Sequence, residues 1–143
     1  MIDIYNQESY NESVNAKKRV LIVTDGTDSI EAIAKSIKDA LTGCKAEIRA
    51  GESFAGTDLL PAQAFFVGCE KPNPASFEYL SQMLAHINLA GRPCGVFSTT
   101  NNALKYLSGI VKDSDAALGE PLLAGDGNIK PAVLKKWLKG ILG

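Results

Sequence analysis

The sequence predicts an α/β fold, a doubly wound five-stranded parallel sheet of order 2-1-3-4-5 inside a three-layer sandwich. Three observations predict it. Short β-branched or aromatic runs alternate with amphipathic segments from residue 18 onward, the pattern of parallel strands joined by crossover helices. The clearest runs are continuously apolar, as strands covered on both faces require. The chain has 143 residues, 45% of them hydrophobic and 22% charged, which suits one globular domain.

The elements follow in order. Val20-Leu21-Ile22-Val23 is the first strand. The polar loop Asp25-Gly26-Thr27-Asp28 comes next, and then Ile30, Ile33, Ala34, Ile37 and Leu41 at helical spacing. Asp28 with Glu31 three residues on predicts a capping box, and Gly43 predicts the residue that ends the helix. Ala46 to Ala50 reads as a weaker strand near an edge, followed by a loop from Gly51 to Pro61 with room for a short helix. Ala64-Phe65-Phe66-Val67 is the third strand, ending at Gly68. Asn73-Pro74 predicts a cap and a first helical position for the helix whose stripe is Phe77, Leu80, Leu84 and Ile87. Cys94 to Phe97 is the fourth strand, and Leu104, Leu107, Ile110 and Val111 mark the next helix. Pro121 to Ala124 is predicted as a short fifth strand. The last helix carries Val133, Leu134, Trp137, Leu138 and Ile141, with Asn128 as its cap and Pro131 in its first turn.

Residues 1–17 differ from the rest. They hold several Asn, Gln and Ser, three acids, two tyrosines and no base before Lys17. They read as a polar N-terminal extension to a domain spanning 18–143.

Composition excludes several classes. A net charge of −1 provides no long-range attraction to nucleic acid or to a membrane surface. A single histidine, His86, and three cysteines leave no multi-histidine or four-cysteine metal site, and three cysteines make no disulfide scaffold. No secretory signal is visible, and no apolar run approaches the roughly 20 residues of a membrane span. A cytoplasmic location is the expectation.

In a doubly wound sheet, ligands bind beyond the C-terminal strand ends. That edge is built here from Asp25 to Ser29, Cys69 to Asn73, Ser98 to Asn102 and Gly125 to Asn128. Three segments bordering it resemble the flavodoxin family. "VLIVTDGTDSIEAIAK" (20–35) is similar to the first strand, phosphate loop and first helix. "LPAQAFFVG" (60–68) is similar to the third strand with its closing glycine. "LAGRPCGVFST" (89–99) is similar to the Leu-x-Gly-Lys lead into the fourth strand. The resemblance implies a flavodoxin-like fold, non-covalent FMN binding, electron transfer through the flavin and a redox partner protein. The chain would then be an electron carrier rather than an enzyme.

Residue by residue, the resemblance places the FMN phosphate on Asp25, Gly26, Thr27, Asp28 and Ser29, at a helix N-terminus where hydroxyls and backbone N–H groups donate. It places the flavin ring between Gly68, Cys69, Glu70 and Lys71 on one side and Ser98, Thr99, Thr100 and Asn101 on the other. Three positions depart from the family's Ser/Thr-x-Thr-Gly-x-Thr loop. Asp25 stands where the first hydroxyl residue belongs, Asp28 where glycine belongs, and Ile30 where a hydroxyl belongs. A carboxylate ~6 Å from one phosphate charge costs roughly 3 kcal/mol at an effective dielectric of about 20. Neither ring loop contains an aromatic, although stacking supplies much of a flavin's affinity. Tyr106 and the tyrosines of the extension are the remaining stackers. The family is also strongly acidic, whereas this chain is close to neutral.

Two alternatives stand beside that reading. One is a binding or interaction module that keeps the fold and has lost FMN. The other is a receiver-like regulatory module, which the order Asp25, Asp28, Glu70, Ser98 to Thr100 and Lys130-Pro131 resembles. Converging carboxylates would suit Mg²⁺, but Cys69 and Glu70 occupy the place of a phosphorylated aspartate. Cys69, beside Lys71 and a helix start, is a candidate reactive thiol. Cys44 and Cys94 read as structural, and His86 as an exposed helix residue. Lys135, Lys136 and Lys139 form a basic face on the last helix, and Trp137 reads as packing that helix on the sheet.

Overall fold

The computed structural model describes residues 18–143; the extension predicted at 1–17 lies outside the described residues. The strands are β1 (Lys18–Thr24), β2 (Cys44–Ala50), β3 (Ala64–Gly68), β4 (Pro93–Ser98), β5 (Ala117–Leu118) and β6 (Leu122–Leu123). The helices are α1 (Asp28–Ala40), α2 (Gly56–Leu59), α3 (Glu78–Leu84), α4 (Asn101–Lys112) and α5 (Pro131–Leu142). Short 3₁₀ turns at Gly51–Ser53 and Ala75–Phe77 precede α2 and α3. All strand pairs are parallel, in the order β2-β1-β3-β4-β5, and β6 also pairs with β4. The predicted fold class is the observed one.

Strand alternation divides the core in two. Val20 and Ile22 of β1, with Phe66 and Phe97, pack against Ile30, Ile33 and Ile37 of α1 and Leu134 and Leu138 of α5. Leu21 and Val23, with Phe65, Val67 and Val96, pack against Leu80 and Leu84 of α3 and Leu104 and Leu107 of α4. Both faces of β1 are therefore buried, which is why its sequence is a continuous apolar run. At the sheet margin only Ala46 of β2 is fully buried, as a weak edge strand predicts.

The predicted fifth strand, Pro121 to Ala124, is found as β6, and a second two-residue strand that the sequence did not announce, β5, precedes it beside β4. Gly119 still donates to the Cys94 carbonyl (2.9 Å), but the next carbonyl, of Glu120, turns to accept from Trp137 Nε1 (2.6 Å). Pro121 then has no N–H to give, so the ladder breaks before resuming at Leu122–Leu123.

Helix starts also differ from the sequence reading. Thr27, not Asp28, is the N-cap position of α1, and it makes no side-chain cap. Asp28 stands exposed in the first turn, where its charge favours the helix dipole. Glu31 accepts from Thr24 Oγ1 instead of reaching back to close a capping box. At the other end of α1, Leu41 closes the helix in place of Gly43. Asn73 adopts φ +53° and Pro74 precedes a 3₁₀ turn, so neither starts α3. Lys130, not Asn128, is the N-cap position of α5, with Pro131 in the first turn as predicted.

Two glycines let α5 lie close to the sheet. A Cβ on Gly95 or on Gly119 would come within 2.6 Å of the Ile141 side chain. Trp137 packs against Phe66, with ring centroids 5.4 Å apart.

Candidate functional site

The fold brings the predicted loops together at the C-terminal edge of the sheet, where hydroxyls and carboxylates pair with one another. Gly26 turns the β1–α1 loop at φ +83°, which folds Asp25 back over it. Asp25 Oδ1 accepts from the Thr27 N–H (3.1 Å) and from Thr27 Oγ1 (2.7 Å). Asp25 Oδ2 accepts from the Glu70 N–H (2.8 Å), tying this loop to the one after β3. Ser29 Oγ donates to Glu70 Oε2 (2.9 Å). Every hydroxyl from Thr24 to Ser29 therefore donates to a carboxylate.

The loops after β3 and β4 are joined in the same way. Ser98 Oγ donates to the Cys69 carbonyl (2.6 Å) and accepts from the Thr100 N–H (3.1 Å). Thr100 Oγ1 donates to the Glu70 carbonyl (3.0 Å) and accepts from the Ala103 N–H (3.2 Å), capping α4. Glu70 is thus held through its N–H, its carbonyl and its carboxylate. The fourth loop joins them at Gly127, where φ is +80° and an added Cβ would lie 3.5 Å from Ser29 Cβ. In that loop the Asn128 N–H donates to the exposed Asp126 and holds its carboxyl below the ordinary value.

The predicted site residues divide by burial. Gly68, Cys69 and Ser98 are buried, and Asp25, Thr27, Ser29, Glu70 and Thr99 are half-buried. Gly26, Asp28, Lys71, Thr100 and Asn101 are exposed. Gly68 is a close-approach position, because an added Cβ would come within 2.2 Å of the Phe97 ring.

Cys69 is fully buried, which disfavours the thiolate a reactive cysteine needs. Burial first, and then the Asp25 carboxylate, push its pKa up to about 12. The sequence suggested activation by Lys71 and a helix start, but enclosure and a neighbouring anion act the other way. Cys94 is raised well above its ordinary value by burial alone.

Tyr106 lies against the core cluster that includes Cys69, its Oη enclosed and without a partner among the described residues. Burial and the nearby Cys69 raise its pKa. The side chain as a whole is half-buried. Tyr79 is exposed, but it sits against Phe54 and accepts from the Gly56 N–H, away from these loops.

These residues do not fit an FMN phosphate as they stand. Thr27 and Ser29 carry the two hydroxyls that the phosphate would use, and both already donate to carboxylates. A phosphate oxygen accepting both Thr27 donors would have to stand where Asp25 Oδ1 stands. The sequence suggested repulsion from Asp25; the geometry gives direct competition for the same donors. Among the described residues, no group of three or more His, Cys, Asp or Glu is placed to hold a metal ion.

The wider comparisons agree with the fold. The chain is similar to the flavodoxin of Streptococcus pneumoniae TIGR4 at TM-score 0.68 and 15% identity, over 87% of this chain and 97% of that one. It is similar to oxidised flavodoxin 2 of Bacillus cereus at TM-score 0.69 and 19% identity, over 87% and 97%. A cysteine variant of Pseudomonas aeruginosa flavodoxin gives TM-score 0.65 at 14% identity, over 87% and 99%. No family model and no curated relative matches the sequence. The class defined is the flavodoxin-like doubly wound α/β domain. Among the described residues, no helix is long and apolar enough to cross a membrane.

Proposed function

We propose that this chain is a flavodoxin-fold interaction module that works without FMN, with its own Asp25 carboxylate serving as the anion of the phosphate loop. One observation carries the reading: Asp25 accepts from both Thr27 donors and from the Glu70 N–H. The two ring loops, which contain no aromatic and are bonded to each other through Ser98 and Thr100, support it. A domain of this kind acts through surface contacts with other chains.

The second reading is FMN binding and electron transfer to a redox partner, favoured by the fold likeness to flavodoxins over 87% of the chain. It places the phosphate on residues 25–29 and the ring between 68–71 and 98–101. It requires Asp25 to leave Thr27 and an aromatic to come from elsewhere.

An absorbance scan of the purified protein and an FMN titration followed by flavin fluorescence separate the two. The module reading expects colourless protein and no quenching up to ~100 μM FMN. Yellow protein, or quenching with micromolar or tighter affinity, establishes the second reading.

A further inference from the structure

β6 stands at the edge of the sheet, with β4 as its one neighbour among the described residues. In a parallel ladder, alternate residues turn their N–H and C=O groups the same way. The Ala124 N–H donates to the Ser98 carbonyl (2.9 Å), so the N–H and C=O of Leu123 face away from β4. Pro121 and the turned Glu120 carbonyl blunt the edge before that point. Leu123 is therefore where this edge is open, and its side chain is 48% exposed.

A groove lies on each side of that edge, and Pro121 lines both. The one against α4 is about 660 Å³, with Leu104 and Leu123 as its apolar lining and Lys105 and Lys112 beside them. The one against α5 is about 420 Å³ and is lined by Leu122, Trp137 and Ile141. Charge separates the two. The α5 groove carries one lysine and one acid, Lys136 and Glu120. The α4 groove carries two exposed lysines and no acid, and neither lysine is in an ion pair among the described residues.

We infer that this edge docks an extended, acidic segment of a partner protein, added as a strand beside Leu123. Side chains of a strand alternate between faces, which matches one groove on each side; a helix would fill only one. Lys105 and Lys112 lie two helical turns apart on one face of α4, about 10 Å along its axis. Acids at i and i+4 of a strand stand ~13 Å apart on one face, within reach of the flexible lysine arms, with residue i+2 over Leu123. Apolar residues at i+1 and i+3 suit the lining of the α5 groove. A second copy fits less well, because a two-fold contact through this edge would set the lysines of the two α4 helices against each other. The inference gives the interaction module its surface, and rests on that reading for its role.

The test titrates an acetylated and amidated peptide, Gly-Glu-Val-Leu-Val-Glu-Gly, into the full chain and follows its amide resonances. A Kd of the order of 100 μM is expected, with a downfield shift of the Leu123 amide proton as it gains an acceptor. Lys105→Glu with Lys112→Glu should weaken that peptide about tenfold or more, and should favour instead the peptide with lysines in place of both glutamates. No saturable binding up to ~1 mM, or binding that leaves the Leu123 amide or the charge preference unmoved, would overturn the inference. So would a Leu123 shift in the protein alone that grows with protein concentration, because a second copy would then hold the edge. An FMN titration of the same samples keeps the two readings apart. A chain that takes flavin and peptide loses the module reading and keeps this surface; a chain that takes neither keeps the module reading and loses the surface.

Discussion

Two regions of this domain treat their polar and apolar groups in opposite ways. At the C-terminal edge of the sheet, loop hydroxyls donate to neighbouring carboxylates or carbonyls, and Asp25 accepts from three donors. On the α5/β6 flank, Val133 is left open, and Lys136 is in no ion pair among the described residues. The first region has met its bonding needs internally. The second has not, and interaction is therefore expected there. In a flavodoxin-like fold the reverse is anticipated, since the loop edge is where such sheets take ligands.

The largest expected effect comes from opening the closed edge. Asp25→Ala leaves the Thr27 and Glu70 N–H groups without their acceptor and should destabilise the fold by about 2–3 kcal/mol in a urea melt. Asp28→Ala, in the exposed first turn, should cost within about 0.5 kcal/mol. Equal losses for the two would remove the distinction between an internal anion and a surface charge.

A second effect tests the packing beneath that edge. Gly68→Ala drives a methyl into the Phe97 ring and should cost about 1–3 kcal/mol, while Gly109→Ala, which meets open space, should not destabilise. Urea midpoints of the two variants decide this.

Thiol chemistry gives a third comparison. Cys69 and Cys94 are buried, whereas Cys44 is only half-buried. In native protein at pH 8 a disulfide reagent should modify Cys44 first, with the other two reacting only on unfolding. The pH dependence follows from the raised Cys69 value. Its thiol stays protonated in the fold while the unfolded chain ionises near 9, so its contribution is complete below about pH 9 and lost as pH rises toward 12. A Cys69→Ser variant should show a shallower alkaline loss in pH-dependent melts.

The smallest effect belongs to the exposed lysines of α5. Reversing Lys135, Lys136 and Lys139 should change global stability by about 0.5 kcal/mol or less, because exposed charges contribute little. Urea melts of the charge-reversed chain measure this.

Much of this was legible in the sequence, for physical reasons. β1 and β3 declare themselves through continuous apolar runs, and α1 and α4 through their stripes, because burial sets those patterns directly. The strand at Pro121 to Ala124 was legible, but β5 and the break that separates it from β6 were not. The break depends on Trp137 taking the Glu120 carbonyl, a contact between residues 17 positions apart. The capping box of α1 failed for a related reason: Thr27 bonds to Asp25 and Glu31 accepts from Thr24, both within the loop edge. At the site, composition indicated repulsion from Asp25, while the direction of its carboxylate required the fold. The three-way hold on Glu70 carries no sequence signal, since two of its three bonds use backbone atoms.

In the module reading, Asp25 occupies the donors that a phosphate would need. The most direct measurement is an FMN titration of the wild-type chain followed at the Thr27 and Glu70 amide resonances. Both should stay in place up to ~100 μM FMN. Saturable movement of both with a micromolar midpoint would show that the carboxylate yields to the cofactor, and would overturn the module reading.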